Sequence, residues 1–383
     1  MDALEESHGS GGGVAGAWVA NTKACQGVPM EVSKNRFTHF DNTRYFQSLD
    51  GLRAIFVTLV MFNHVHVSVP LWIHSPLGVD GFFVLSGFLI TTLLLREDRK
   101  YGRISLKAFY TRRFFRIIPV YMFTILLYCV TAFSMHDSLK IAHFKASLPW
   151  LLSFMEEYRP VSMAGNIMGH AWSLGVEEKF YVLWPLLVVW MIPFRGRNAW
   201  WLAGTAVVVS LFPFPYYINY GGLLIGAVLA IALFKHADWK ILTRIPPLPD
   251  SLILLILLLC YLPFNWRSNG YELLFSAGVA ILVASLVLRK GITRKLLENP
   301  ALVFVGKRSY SFYLIHVLAI DLAEKILRHF VTLNVANVVG GAFVLSLAGA
   351  SLMHRFIELP CIALGRQLTK KLAHHEPVSK AAT

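Results

Sequence analysis

The sequence predicts an all-α, polytopic integral membrane protein with about ten transmembrane helices and both termini cytoplasmic. Three observations lead there. Hydrophobic residues make up 56% of the 383 and charged residues only 15%, against roughly 25% charged in soluble domains. Apolar runs of about 17–25 residues, long enough to cross a hydrocarbon core, recur along the chain. The 36 lysines and arginines fall mostly on one side of the topology those runs define.

Residues 1–47 are a polar, Gly/Ser-rich arm with "GSGGG" near its start. The apolar stretch "GVAGAWVA" is too short for a secretory core followed by a cleavage site, so the arm reads as flexible and cytoplasmic. The membrane domain covers 48–360. Its runs lie at 51–70, 77–95, 115–134, 174–193, 200–214, 217–234, 249–264, 273–288, 309–328 and 336–356. The 200–214 and 249–264 runs are short and read as tilted or extended at their ends. "SLPWLLSFM" at 147–155 is too short to cross and contains Pro149, which makes it a loop helix or a re-entrant piece. Residues 361–383 read as a basic cytoplasmic tail.

With ten spans and an inner N-terminus, 29 of the 36 basic residues lie inside and seven outside. An eleventh span at 147–155 would invert every later loop and put "RKGITRK" outside, against the positive-inside rule. The net charge of +14 therefore belongs to inner loops, not to a nucleic-acid surface. Cys25, Cys129, Cys260 and Cys361 are scattered without C-x-x-C spacing, so neither a disulfide framework nor a metal site is expected. No 20–50-residue repeat and no inverted two-half symmetry is visible.

Ionisable residues inside spans need a reason. In "GLRAIFVTLVMFNHVH" (51–66), Arg53 and His64 are 11 residues apart, close to three turns, and share one helix face. They are separated by about 16 Å along the axis, with Arg53 at the cytoplasmic end. His66 points about 200° away from His64 and is excluded from that face. Asp50 is placed to cap the helix and to pair with Arg53. A neutral His64 that simply hydrogen-bonds a neighbouring helix is the plain alternative.

Asp80 opens the second span in "GVDGFFVLSGFLI" (78–90). A carboxylate there suits the helix dipole, and across a short turn it can also orient His64. Ser86 lacks a G-x-S-x-G elbow and reads as packing rather than nucleophile, while Gly81 and Gly87 permit close helix contact. Arg113 and Arg116 in "FYTRRFFRIIP" share a face at the inner entrance of the third span, at the level of Arg53. Positive-inside charge explains most such pairs, yet two arginines on one face also form a fork for phosphates, such as those of coenzyme A. "HAWSLGVEEKFYVLW" (170–184) collects His170, Trp172, Ser173, Glu177, Glu178 and Tyr181, either as an interfacial helix start or as groups that hold a sugar. Glu177 and Glu178 point about 100° apart and are not a paired-carboxylate dyad. His316 is intramembrane. Arg355 and Glu358 read as a structural i, i+3 pair, with Pro360 stopping the last helix.

Together these stretches resemble the membrane-bound acyltransferase family 3. Its motifs appear in order over residues 48–360: L-D-G-L-R-A with a histidine eleven residues after the arginine, G-V-D-x-F-F-V-x-S-G, R-x-x-R before I-x-P, W-S-L-x-V-E-E-x-F-Y, S-Y-S-x-Y-L-x-H and R-x-x-E-x-P. The resemblance implies an O-acyltransferase of the bacterial inner (plasma) membrane. It would move an acyl group, usually acetyl, from cytoplasmic acyl-CoA to a hydroxyl of a glycan, a glycolipid or a small acceptor. Acyl-CoA would be a co-substrate, with no permanently bound cofactor. By position, His64 would be the catalytic base with Asp80 beside it. Arg53, Arg113 and Arg116 would serve the acyl-CoA, and Trp172, Ser173, Glu177, Glu178 and Tyr181 the acceptor side or the helix core. Gly175 departs from the commoner serine or alanine. Many members also carry a C-terminal hydrolase-like domain; without one, this chain is expected to act alone or to pass its product to a partner.

Two other function classes compete. A proton-coupled transporter would use His64, Asp80 and His316 as a proton relay. Internal repeats and broken midspan helices, which would support it, are not evident. A non-catalytic membrane scaffold would need Arg113 and Arg116 for abundance only.

Overall fold

The structure is a computed structural model and describes residues 40, 43, 45–65, 77–134, 138–160, 168–191, 217–234, 269–330 and 334–375. Among them every regular element is helical. In chain order they are α1 (Gln47–Asn63), α2 (Leu77–Tyr101), α3 (Leu106–Ser134) and α4 (Ser138–Leu152). α5 (Trp172–Met191), α6 (Tyr217–Phe234), α7 (Asn269–Leu288), α8 (Ile292–Leu297) and α9 (Pro300–Lys307) follow. The chain then forms α10 (Ser309–Leu327), α11 (Val335–Met353) and α12 (Leu359–His375).

Eight of the ten apolar runs coincide with described helices; 200–214 and 249–264 lie outside the described residues. α2, α3 and the stretch Val335–Lys370 are long and apolar enough to cross a membrane, and Tyr220–Phe234 and Glu272–Leu288 are shorter apolar helices. The 147–155 segment forms the end of α4, with Pro149 inside the helix. α8 and α9 are helices that the apolar pattern did not predict. Asn299 caps α9 by accepting from the Ala301 N–H, and Pro300 takes the first helical position, where no amide donor is needed.

Two expectations are corrected. Asp50 lies inside α1, which starts at Gln47, and so does not cap it. Pro360 does not end the last helix. A π-helical turn at His354–Glu358 joins α11 to α12, and Pro360 becomes the second residue of α12. Helix-start positions tolerate proline because its missing N–H has no partner to lose.

Close backbone approaches hold these helices in register. A Cβ on Gly87 of α2 would lie 1.8 Å from the Leu223 carbonyl oxygen of α6. At the end of α1 that bears Arg53 the contact is doubled. A Cβ on Gly51 would lie 1.9 Å from Leu297 O, and one on Gly306 would lie 1.8 Å from Asp50 O. Small residues permit such packing where apolar side chains gain little by leaving lipid. The two glycines press α8 and α9 onto the start of α1, which sets Lys307 beside Tyr45 and Arg53.

Candidate active site

Side chains from six helices and the π turn line a cavity with about 810 Å³ of empty space, its open mouth included. α1 contributes Arg53, α2 Ser86, α3 Arg113 and Arg116, and α5 Ser173, Glu177, Glu178 and Tyr181. Lys307 closes α9, and Tyr310 and Tyr313 come from α10; Glu358 also reaches in. A second cavity, with about 1210 Å³ of empty space including its open mouth, adjoins it and shares Arg53, Ser86, Arg113, Arg116, Tyr181, Lys307 and Glu358. Tyr45, Asp50, Arg96 and His354 line its far side. This second cavity carries five arginine or lysine side chains against two carboxylates, Asp50 and Glu358. Such an excess of guanidinium and ammonium groups suits a phosphate-bearing anion.

The arginines are oriented by their neighbours. Arg53 lies 3.6 Å from Asp50, the i, i+3 pair the spacing predicts. Asp50 also accepts a hydrogen bond from the Tyr45 hydroxyl. Burial, then that bond and the Asp50 charge, push the Tyr45 hydroxyl above its ordinary pKa. The Arg113 guanidinium sits 5.3 Å from the centre of the Tyr181 ring, within cation–π range.

Ser86 is not mere packing. Its Oγ donates to Glu177 Oε1 at 2.7 Å. The Tyr181 hydroxyl lies 3.1 Å from Ser86 Oγ and 3.2 Å from Glu177 Oε2. Glu177 is thus held by two hydroxyl donors, within the field of Arg53 and Arg113. Glu178 also faces the cavity and lies within the field of Arg113.

Also in the lining of the first cavity, Ser173 Oγ and the Tyr313 hydroxyl are 2.6 Å apart. The Tyr313 hydroxyl donates to the His170 carbonyl. Beyond it stand three imidazoles from different parts of the chain. Ring centres of His64 and His316 are 4.9 Å apart, of His170 and His316 4.8 Å, and of His64 and His170 6.1 Å. His64 Nδ1 lies 2.9 Å from the Val60 carbonyl oxygen and 3.3 Å from His316 Nε2. His316 Nδ1 hydrogen-bonds the Tyr313 carbonyl, and His170 Nε2 the Leu314 carbonyl at 3.3 Å. Among the described residues no group of His, Cys, Asp and Glu has a metal-holding arrangement.

The structure therefore gathers Arg53, Arg113, Arg116, Ser173, Glu177, Glu178 and Tyr181 around one cavity. His64 sits just past α1, as its C-cap. Asp80 is buried, and no hydrogen bond joins it to His64 among the described residues. Trp172 packs edge-on against Phe83, outside the cavity lining. The expected Arg355–Glu358 pair does not form. The π turn directs Glu358 inward, where Oε2 accepts from Ser311 Oγ at 3.0 Å and lies 2.9 Å from His354 Nδ1. Arg355 lies instead near the Phe356 ring. Glu358, Lys307 and Tyr313 were absent from the sequence-derived site, and His170 was noted in its stretch without a role of its own. His170, Tyr313 and Glu358 stand in stretches the motif pattern marks, and that was the available signal.

Gly175 has a local reason. A Cβ there would lie 2.3 Å from Glu157 Oε2 and 2.6 Å from the Phe154 carbonyl oxygen. That carbonyl accepts a 2.6 Å hydrogen bond from Lys179, which also pairs with Glu157. Phe154 itself takes a left-handed backbone conformation with φ 55°.

A family profile described as an acyltransferase domain matches residues 46–355. The chain belongs to acyltransferase family 3. One family relative is a Staphylococcus aureus (strain COL) protein whose name marks it as a candidate O-acetyltransferase. It is 31% identical over 366 residues, which cover 85% of this chain and 58% of the relative. The O-acetyltransferase OatA of Staphylococcus aureus (strain NCTC 8325 / PS 47) is 31% identical over 309 residues, 71% of this chain and 50% of OatA. The chain thus spans somewhat over half the length of the curated relatives it matches. No solved structure matches it with comparable significance.

Proposed function

We propose that this chain is a membrane O-acyltransferase that takes an acyl group, acetyl by its relatives' names, from acyl-CoA. It passes the group to a hydroxyl of a carbohydrate-type acceptor. The phosphates of coenzyme A occupy the basic cavity, held by Arg53, Arg113, Arg116 and Lys307. The thioester arm runs past Tyr181 and Ser86 toward Ser173 and Tyr313. His64 accepts the proton of the acceptor hydroxyl. The oxygen attacks the thioester carbonyl, the carbon–sulfur bond breaks, and the same proton goes to the departing sulfur. The observation that carries this reading is the convergence of Arg53, Arg113, Arg116 and Lys307 on one cavity that hydroxyls and carboxylates also line.

The His64–His316 contact is also what a proton-coupled transporter would use. That reading needs Asp80 as a third member, and no hydrogen bond joins Asp80 to either histidine among the described residues.

The test is acyl-CoA-dependent release of free thiol by the purified protein in lipid nanodiscs, paired with mass spectrometry of cellular glycans and lipids. We expect thiol release and a product one acyl unit heavier in cells that contain the protein. Unchanged glycans and lipids together with no thiol release would overturn the proposal.

A further inference from the structure

Resting on the reading above, the geometry points to His316 as the positioning residue for His64: it holds the His64 ring with its proton on Nδ1 and leaves Nε2 as the base nitrogen.

The argument is one of donors and acceptors. A carbonyl oxygen only accepts hydrogen bonds. His316 Nδ1 lies against the Tyr313 carbonyl, so that nitrogen carries a proton. His316 is fully buried, and no carboxylate hydrogen-bonds it among the described residues. An uncompensated charge there would be costly, so the ring is neutral. Its Nε2 then presents a lone pair. That lone pair lies 3.3 Å from His64 Nδ1, and the Val60 carbonyl lies 2.9 Å from the same nitrogen. Two acceptors face one nitrogen, so His64 Nδ1 is the donor. In a neutral imidazole the other nitrogen, Nε2, is then unprotonated.

The Val60 carbonyl comes from the last turn of α1, where helix ends leave carbonyls without amide partners. It lies on the same helix as His64 and moves with it. His316 comes from α10, 252 residues away, and so fixes the ring relative to the rest of the protein. When Nε2 takes a proton, the ring becomes cationic and its Nδ1–H bonds strengthen. His316 Nε2 is then the second acceptor for that charge. A carboxylate commonly fills this place behind a catalytic histidine. Asp80, the carboxylate that the sequence offered for it, makes no hydrogen bond to either histidine among the described residues. The packing of His170 against His316, with ring centres 4.8 Å apart, closes the other side of the His316 ring.

The experiment compares the full chain in nanodiscs with His316→Leu, His316→Gln and His64→Ala, and adds 15N spectra of histidine-labelled protein. His316→Leu is expected to lower kcat roughly 10- to 100-fold, the worth of one hydrogen bond to a charged group, with KM for acetyl-CoA unchanged. His316→Gln keeps an acceptor near the Nε2 position and should recover most of that loss. Wild-type His64 should show a protonated Nδ1 and an unprotonated Nε2; in His316→Leu that signal should broaden or split. Full kcat in His316→Leu, with His64→Ala inactive, would overturn this inference alone. Transfer retained by His64→Ala would overturn the base assignment and this inference with it. Should His316→Leu fail to fold, a protonated Nε2 on wild-type His64 would by itself overturn the inference.

Discussion

Ser86 and Glu177, 91 residues apart in the chain, meet through a 2.7 Å hydrogen bond that ties α2 to α5 at the wall of the candidate site. A hydrogen bond to a carboxylate is worth about 1.5–3 kcal/mol, and a buried acceptor left unpaired loses that in full. Ser86→Ala is therefore expected to lower thermal stability in detergent and to cut acyl transfer about tenfold. Tyr181→Phe removes only the longer bonds and should cost less. Melting curves and thiol-release rates on the two variants check the order.

The arginine cavity makes a sharper prediction. Arg113→Ala or Arg116→Ala should raise KM for acyl-CoA by roughly 10- to 100-fold, from the loss of one or two charge-assisted hydrogen bonds. Arg113→Lys should not restore it fully, because an ammonium group cannot present a planar fork. Steady-state titration with acetyl-CoA measures this. A scaffold role would leave KM unmoved and change only abundance.

Glu358 and Arg355 separate two views of the last helix. Glu358 is 2% exposed and serves both Ser311 and His354. Glu358→Ala is expected to destabilise by about 2–4 kcal/mol through those lost partners. Arg355→Ala should stay within about 0.5 kcal/mol, as surface changes usually do. Thermal or chemical unfolding of the two variants, scored side by side, decides between them.

Gly306→Ala would drive a methyl group into the Asp50 backbone, 1.8 Å from its carbonyl oxygen. Helix α9 must then retreat from α1. Overpacking of this kind typically costs about 1–3 kcal/mol. Because Lys307 is the next residue, weakened acyl-CoA binding should accompany the lower stability. A melting shift without any change in KM would place Lys307 outside the donor site.

Much of this arrangement was legible because helices impose a ruler. Arg53, Arg113 and Arg116 were placed at one membrane level by spacing and charge counting alone, and the three line one cavity. The Asp50–Arg53 pair followed from i, i+3 geometry. Contacts between distant segments were not legible. His64 meets His316 across 252 residues, and periodicity says nothing about which helices are neighbours. The π turn at His354–Glu358 was invisible for a different reason: one extra residue per turn leaves no mark on an apolar run. It moved Glu358 from a surface pair with Arg355 to the cavity wall and let the helix pass Pro360.

The second cavity gathers five cationic side chains around two carboxylates, and like charges so confined repel one another. An anion that enters is then a counter-ion as well as a cargo. Its binding stabilises the folded state, by about 2.7 kcal/mol at a hundred times its dissociation constant. On the proposed function that anion is acyl-CoA, and the lifetime of the protein would then follow the supply of acyl-CoA, falling as the ligand runs short while the site is still mostly filled.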